Sequence, residues 1–96
     1  MNGVLKRYVI ERDLPGIGKM NRDEFRKIAA TSCGALEKLY GKIQWVHSYV
    51  ADEKSFCIYL ADGEASIREH ARLSGFPANK ITEAPIVIDP MTAFSG

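Results

Sequence analysis

The chain has 96 residues and a net charge of +1, with hydrophobic residues at 46% and charged residues at 26%. A chain of this length is normally one domain with one core, and this composition excludes disordered and fibrous classes. A net charge so close to zero gives no overall field that would attract nucleic acid or an anionic membrane, so we expect neither as a partner.

The first third of the chain predicts a strand, a loop and a helix. The strand is Val4 to Arg12, which is rich in β-branched and aromatic residues. The loop is Asp13 to Met20, where glycines and a proline interrupt regular structure. Asn21 and Glu24 have the spacing of a capping box, and the apolar positions that follow predict a helix as far as Tyr40.

The rest of the chain predicts a hairpin, a second helix and a final strand. Ile43 to Ala51 and Ser55 to Ala61 flank a three-residue turn and have the composition of paired strands. Asp62 is placed to cap a helix over Glu64 to Ser74. The last apolar run, Ala84 to Asp89, predicts the fourth strand.

This order of elements predicts the α+β fold class and a single ferredoxin-like βαββαβ domain over residues 1–96. The sheet would have four antiparallel strands, with both helices on one face. Right-handed crossovers give the strand order 4-1-3-2. Because helices cover only one face, the other face is left for a second copy, as in dimeric α+β barrels.

The hairpin register decides which side chains share a face of the sheet. Pairing Ala51 with Ser55 predicts that one alternating set packs under the helices: Val46, Ser48, Val50, Phe56, Ile58 and Leu60. The same register predicts that the other set lies on the open face: Trp45, His47, Tyr49, Cys57 and Tyr59. This second set is too apolar and aromatic to remain in water, so we expect a homodimer that covers it.

A wall that holds an imidazole, a thiol and two phenols could bind a metal ion or a small organic molecule. His47 and Cys57 are natural ligands of transition metals. Glu11 could add a carboxylate to the same face or form a surface ion pair. His70 on the second helix is a third candidate metal ligand, although a histidine on such a stripe is more often part of the core. The aromatic residues could equally fill a dimer interface.

No motif predicts a particular reaction. Gly16 to Lys19 lacks the spacing of a phosphate-binding loop, and Met20 stands where Ser or Thr would bind magnesium. The chain has no nucleophile elbow. The sequence favours a binding protein without catalytic residues. Two alternatives stay open: a purely structural dimerisation module, and an enzyme such as a cofactor-free monooxygenase or isomerase with His47 or Glu11 as base.

The cellular location is predicted from apolar segments and cysteines. The longest apolar run, near Pro85 to Ile88, is too short to cross a bilayer, and Met1 to Arg7 lacks the apolar stretch of a signal peptide. Cys33 and Cys57 fall within predicted regular elements, a pattern typical of reduced thiols. We therefore expect a cytoplasmic protein without a disulfide.

Five stretches carry a resemblance to known proteins: YVIER (Tyr8 to Arg12), IQWVHSYV (Ile43 to Val50), FCIY (Phe56 to Tyr59), EASIREHAR (Glu64 to Arg72) and FPANKITE (Phe76 to Glu83). Together they resemble a family of small domains of unknown function that includes a nickel-responsive, nickel-binding actinobacterial protein. The resemblance implies a ferredoxin-like dimer and, in at least one member, binding of nickel. The family positions with chemistry fall on Glu11, Trp45, His47, Tyr49, Cys57 and Tyr59 of this chain.

Overall fold

A computed structural model describes residues 4–94 of the chain. The elements in chain order are β1 (Lys6–Asp13), α1 (Arg22–Glu37), β2 (Ile43–Val50), β3 (Lys54–Ala61), α2 (Glu64–Ser74) and β4 (Lys80–Glu83), with short 3-10 helices at Ile17–Lys19 and Pro90–Phe94. This order confirms the predicted βαββαβ arrangement.

The four strands form one antiparallel sheet in the order β2-β3-β1-β4, which is the predicted order 4-1-3-2. Both helices pack on the same face of this sheet, since Leu36 of α1 and Ile67 of α2 join the core that contains Tyr8 and Ile10 of β1. The α+β ferredoxin-like fold is therefore confirmed. We call the helix-packed side the covered face and the opposite side the open face.

Helix α1 begins with the predicted capping box. The Asn21 side chain accepts a hydrogen bond from the Glu24 amide at 2.9 Å, and the Glu24 carboxylate accepts one from the Asn21 amide at 3.0 Å. The helix ends at Glu37 and not at Tyr40 as predicted. From Lys38 onward the amides bond carbonyls three residues back, so the last turn tightens, and Tyr40 is exposed.

Helix α2 spans the predicted residues, but Asp62 does not cap it. Gly63 occupies the capping position without a side-chain bond, and the Asp62 carboxylate accepts a hydrogen bond from the Ser66 hydroxyl at 2.5 Å instead. The helix ends at Gly75, whose φ of 82° is a left-handed conformation that favours glycine. Within residues 4–94, no helix has the length and apolar character needed to cross a membrane.

The fourth strand is Lys80–Glu83, so the prediction of a strand over Ala84 to Asp89 was wrong. Ile81 pairs with the fully buried Ile10 of β1, which fixes the register of this strand. The Ala84 amide still bonds the Arg7 carbonyl of β1, but Pro85 after it has no amide hydrogen with which to continue the ladder. The apolar side chains after it are exposed.

The β2–β3 hairpin forms, but in a different register from the predicted one. Val50, and not Ala51, pairs with Ser55, and a β-bulge at Val46 sets two residues of β2 against one of β3. A shift of one residue exchanges the partners across a hairpin. The covered face therefore carries Ile43, Trp45, Ser48, Cys57, Tyr59 and Ala61, whereas the open face carries His47, Tyr49, Phe56, Ile58 and Leu60. The prediction that Phe56, Ile58 and Leu60 pack under the helices was wrong.

The segment between β1 and α1 packs against the turn of this hairpin. The Gly18 amide donates to the Asp52 carbonyl at 3.0 Å. A Cβ at Gly18 would lie 2.7 Å from the Asp52 Cα, so this close approach requires glycine. The neighbouring Ile17 is buried and lines the space beneath α1, where the candidate site lies.

Candidate functional site

The six residues predicted to bind a ligand do not share one surface. Three lie on the covered face and three on the open face: Trp45, Cys57 and Tyr59 in the first group, and Glu11, His47 and Tyr49 in the second. The prediction that all of them lie together on the open face was therefore wrong. The error arose from the predicted hairpin register, which placed the side chains of β3 on the wrong faces of the sheet.

The covered face contains a cavity of about 440 Å³ between α1 and the sheet. Its walls are largely apolar. Helix α1 contributes Phe25, Ile28 and Ala29, and the sheet contributes Trp45, Cys57 and Tyr59. Val46 and Val50 of the edge strand β2 also line the cavity, and both are exposed. The cavity therefore reaches solvent beside β2.

The β-bulge shapes one wall of this cavity. The Trp45 indole nitrogen donates a hydrogen bond to the Ser48 hydroxyl at 3.0 Å. In a regular strand, residues three apart point to opposite faces, so this bond requires the extra residue Val46. Trp45 is the single tryptophan of the chain, and its half-buried ring is a spectroscopic reporter of the cavity.

Arg12 is a charged side chain in the cavity wall. The alternation of β1 places it on the covered face, where it is only 2% exposed. Its Nη1 donates to the Pro77 carbonyl at 2.6 Å. The guanidinium carbon lies 5.8 Å from the centre of the Tyr59 ring and 6.0 Å from that of Phe76, distances at which a cation is attracted to an aromatic face. Its Nη2 has no hydrogen-bond acceptor among residues 4–94.

A buried polar chain runs from the cavity wall into the core. The Ser32 hydroxyl of α1 lies 3.4 Å from the Tyr59 hydroxyl and 3.1 Å from Nε2 of His70. His70 is 0% exposed, and the Tyr59 and His70 rings lie 5.1 Å apart. Nδ1 of His70 has no partner in the described part of the chain. Ser32 of α1 thus links Tyr59 in the cavity wall to His70 of α2.

Burial determines the protonation states of His70 and Tyr59. It lowers the pKa of His70 from 6.5 to about 4, and the positive charge of Arg12 acts in the same direction, against the opposing effect of the hydrogen bond to Ser32. Burial also raises the pKa of Tyr59 above its usual value of 10.0. Both groups are therefore neutral near pH 7, and Arg12 keeps its charge.

The open face has a polar corner beside an apolar stretch. His47 is exposed, its Nε2 lies 3.1 Å from the Tyr49 hydroxyl, and the two rings meet edge to face at 5.0 Å. Glu11 lies 3.7 Å from the Lys54 ammonium, which also lies 3.8 Å from Asp13. Glu11 is thus part of an ion pair, one of the two alternatives that its position left open.

The three candidate metal ligands are not brought together. His47 lies on the open face, Cys57 is buried on the opposite face, and His70 is buried on α2. Across residues 4–94, no group of three His, Cys, Asp or Glu side chains is arranged to hold a metal ion. Both cysteines are free. The structure therefore does not bring His47, Cys57 and His70 together within one chain.

Sequence reasoning missed Arg12 and Ser32. Arg12 could have been found, because strict alternation from Tyr8 through Ile10 places its side chain on the covered face. A charged residue at an inward position of a strand is unusual enough to mark a site. Ser32 carried no such signal, since a serine on an apolar helix stripe is common.

Comparison with known proteins assigns the chain to a family. No curated protein matches it. The crystal structure of SCO4226 from Streptomyces coelicolor A3(2) is similar, with a TM-score of 0.68 and 15% identity over 85% of this chain and 99% of that chain. Identity this low supports the shared fold alone. The profile of the family described as "Nickel responsive protein SCO4226-like" matches residues 8–84. Because that match spans most of its length, the chain belongs to the nickel-responsive SCO4226-like family.

Proposed function

We propose that this domain is a small-ligand-binding protein and that its ligand occupies the cavity under α1. The observation that carries the proposal is the cavity itself, whose volume of about 440 Å³ falls in the range of small-molecule sites. Largely apolar walls with a few polar groups are the usual composition of such sites. The proposal moves the ligand from the open face, where the sequence placed it, to the covered face.

The walls contain the groups that a small organic ligand would contact. Trp45 and Phe25 offer aromatic surface, and the Tyr59 hydroxyl and Arg12 offer polar contacts. The exposed edge beside β2 supplies a route into the cavity, because Val46 lines it and is open to solvent. Three of the predicted ligand-binding residues, Trp45, Cys57 and Tyr59, thus keep that role in the proposal. His47 also borders the cavity at the bulge, although its imidazole bonds Tyr49 on the open face.

Filling the cavity should abolish binding. Ala29 lines it from α1, so Ala29→Phe places a ring in the space that the ligand would occupy. We expect phenylacetamide, a neutral aromatic probe, to produce a saturable change in Trp45 fluorescence in the wild type and none in Ala29→Phe. Ala30→Phe is the matched control, because Ala30 is the next residue of the same helix and is exposed. An unchanged response in Ala29→Phe would place binding elsewhere.

A second candidate function is nickel binding at the open face of a homodimer. It is supported by the nickel-responsive family and by the exposed imidazole of His47. One chain, over its described residues, does not offer three nickel ligands together. A second copy facing the open face would bring a second His47 and would bury the apolar side chains of Phe56, Ile58 and Leu60. A cytoplasmic location is part of this proposal, on the ground that both cysteines are free.

The nickel proposal has a matched pair of variants. Removing a ligand imidazole should weaken binding at least about tenfold, a loss of roughly 1.4 kcal/mol. We therefore expect calorimetric titration with nickel to show such a loss for His47→Ala. Cys57→Ser should leave the affinity unchanged, because Cys57 is buried on the other face. Equal affinity in His47→Ala and wild type, or a comparable loss in Cys57→Ser, would exclude this location.

A further inference from the structure

Arg12 is a buried positive charge without a counter-charge among residues 4–94. Among the ion pairs formed within residues 4–94, none includes Arg12, although it is 98% removed from solvent. The Pro77 carbonyl takes one of its hydrogen bonds, and the rings of Tyr59 and Phe76 provide weak attraction. A neutral carbonyl and two aromatic rings do not neutralise a guanidinium.

An isolated charge in a low-dielectric interior is costly unless a partner compensates it. A lysine or histidine in this position could lose its proton, but arginine keeps its charge at any physiological pH. An anion is the partner that would compensate this charge most fully. The lowered pKa of His70, to which the Arg12 charge contributes, agrees with a positive potential at this place that nothing in the described chain cancels.

The surroundings of Arg12 restrict the kind of anion. It is the single permanently charged residue among the described residues that line the cavity, so a monoanion balances the site and a multiply charged phosphate does not. The planar guanidinium fork matches a carboxylate. Beyond it, Phe25, Ile28 and Trp45 present apolar surface suited to a hydrocarbon or aromatic body.

We propose that the cavity takes a small organic carboxylate, with its carboxylate paired to Arg12 and its apolar body against α1 and Trp45. This inference rests on the function proposed above and adds the chemical class of the ligand. Nη2 of Arg12, which is closed to solvent and has no hydrogen-bond acceptor among residues 4–94, is the donor that the carboxylate would reach by a small movement of the cavity wall. The hydroxyl of Tyr59, whose ring lies beside the guanidinium, is a second donor in the same wall.

The test compares phenylacetate with phenylacetamide, which has the same apolar body without the charge. A hydrogen bond to a charged group favours binding by an amount that corresponds to about 10- to 100-fold in affinity. By calorimetry we expect the wild type to bind phenylacetate more tightly than phenylacetamide by that factor. In Arg12→Met the two affinities should become equal through a loss for phenylacetate alone. Arg12→Lys, which keeps the charge but not the planar fork, should retain part of the preference.

The outcomes separate this inference from the proposed function. Equal affinity of the wild type for both probes would overturn the carboxylate assignment and leave the cavity as a binding site. No binding of either probe would overturn both. Inorganic phosphate that bound as tightly as phenylacetate would overturn the requirement for an apolar body. If Arg12→Met fails to fold, the preference of the wild type for phenylacetate and its partial retention in Arg12→Lys still test the carboxylate assignment.

Discussion

Replacing Tyr59 by alanine should lower the free energy of unfolding by about 3 to 5 kcal/mol, the usual cost of removing a large aromatic side chain from a core. Tyr59 is 2% exposed, packs in the main core cluster and lies beside Ser32 and His70. Urea unfolding followed by far-ultraviolet circular dichroism would measure the loss.

Phe56→Ala is the matched control for the hairpin register. Phe56 lies three residues earlier on the same strand but on the open face, where it is only half-buried. We expect its replacement to cost clearly less than that of Tyr59 when the protein is dilute. If the loss of stability in Phe56→Ala increases with protein concentration, the open face is buried in a dimer. A larger loss for Phe56→Ala than for Tyr59→Ala at every concentration would restore the register predicted from the sequence.

The stability of the domain should fall steeply as the pH decreases from about 6.5 to 4. Folded His70 resists protonation down to a pKa of about 4, whereas in the unfolded chain it takes up a proton near its ordinary pKa of 6.5. The unfolded state therefore binds more protons in this window, and protonation favours unfolding. The contribution of His70 is complete above pH 6.5 and is lost as the pH falls to 4. Its size is roughly 3 kcal/mol.

Carboxylates that titrate near pH 4 also affect stability, so a variant must isolate the histidine. His70→Gln keeps a polar group that can bond Ser32 but does not titrate. Free energies of unfolding should be measured for both proteins from pH 6.5 to 4. The total loss over this range should be smaller for His70→Gln than for the wild type, by the contribution of His70 given above. Parallel curves for the two proteins would mean that His70 titrates normally in the folded state.

The order and ends of most elements could be predicted from local sequence. The capping box at Asn21 and Glu24 is a contact between near neighbours, so its spacing alone predicts the start of α1. The topology followed from the order of elements and the handedness of crossovers. The hairpin itself was also evident, because two β-rich runs flank a short turn.

The parity of β3 could not be predicted, because both of its faces are apolar. One face carries Phe56, Ile58 and Leu60, and the other carries Cys57, Tyr59 and Ala61. Hydrophobic alternation cannot distinguish two such faces. The choice depends on pairing with β1, which sets Tyr59 opposite Tyr8 and Cys57 opposite Ile10, and such long-range contacts leave no local signal.

Two further features of the sheet were hidden for different reasons. The bulge at Val46 is a single extra residue without a glycine to mark it, so the sequence showed an uninterrupted strand. The last strand was placed on the apolar run after Ala84, but Lys80–Glu83 pairs with β1 although three of its four residues are polar. An edge strand needs few apolar side chains when one of them, Ile81, faces the core.

A crystal structure of the protein grown with phenylacetate tests the central claim most directly. We predict electron density for the ligand between α1 and the sheet, with its ring near Trp45 and Phe25 and its carboxylate within hydrogen-bond distance of Arg12. Density on the open face beside Tyr49 with the covered cavity filled by water alone, at a concentration that saturates binding in solution, would contradict it.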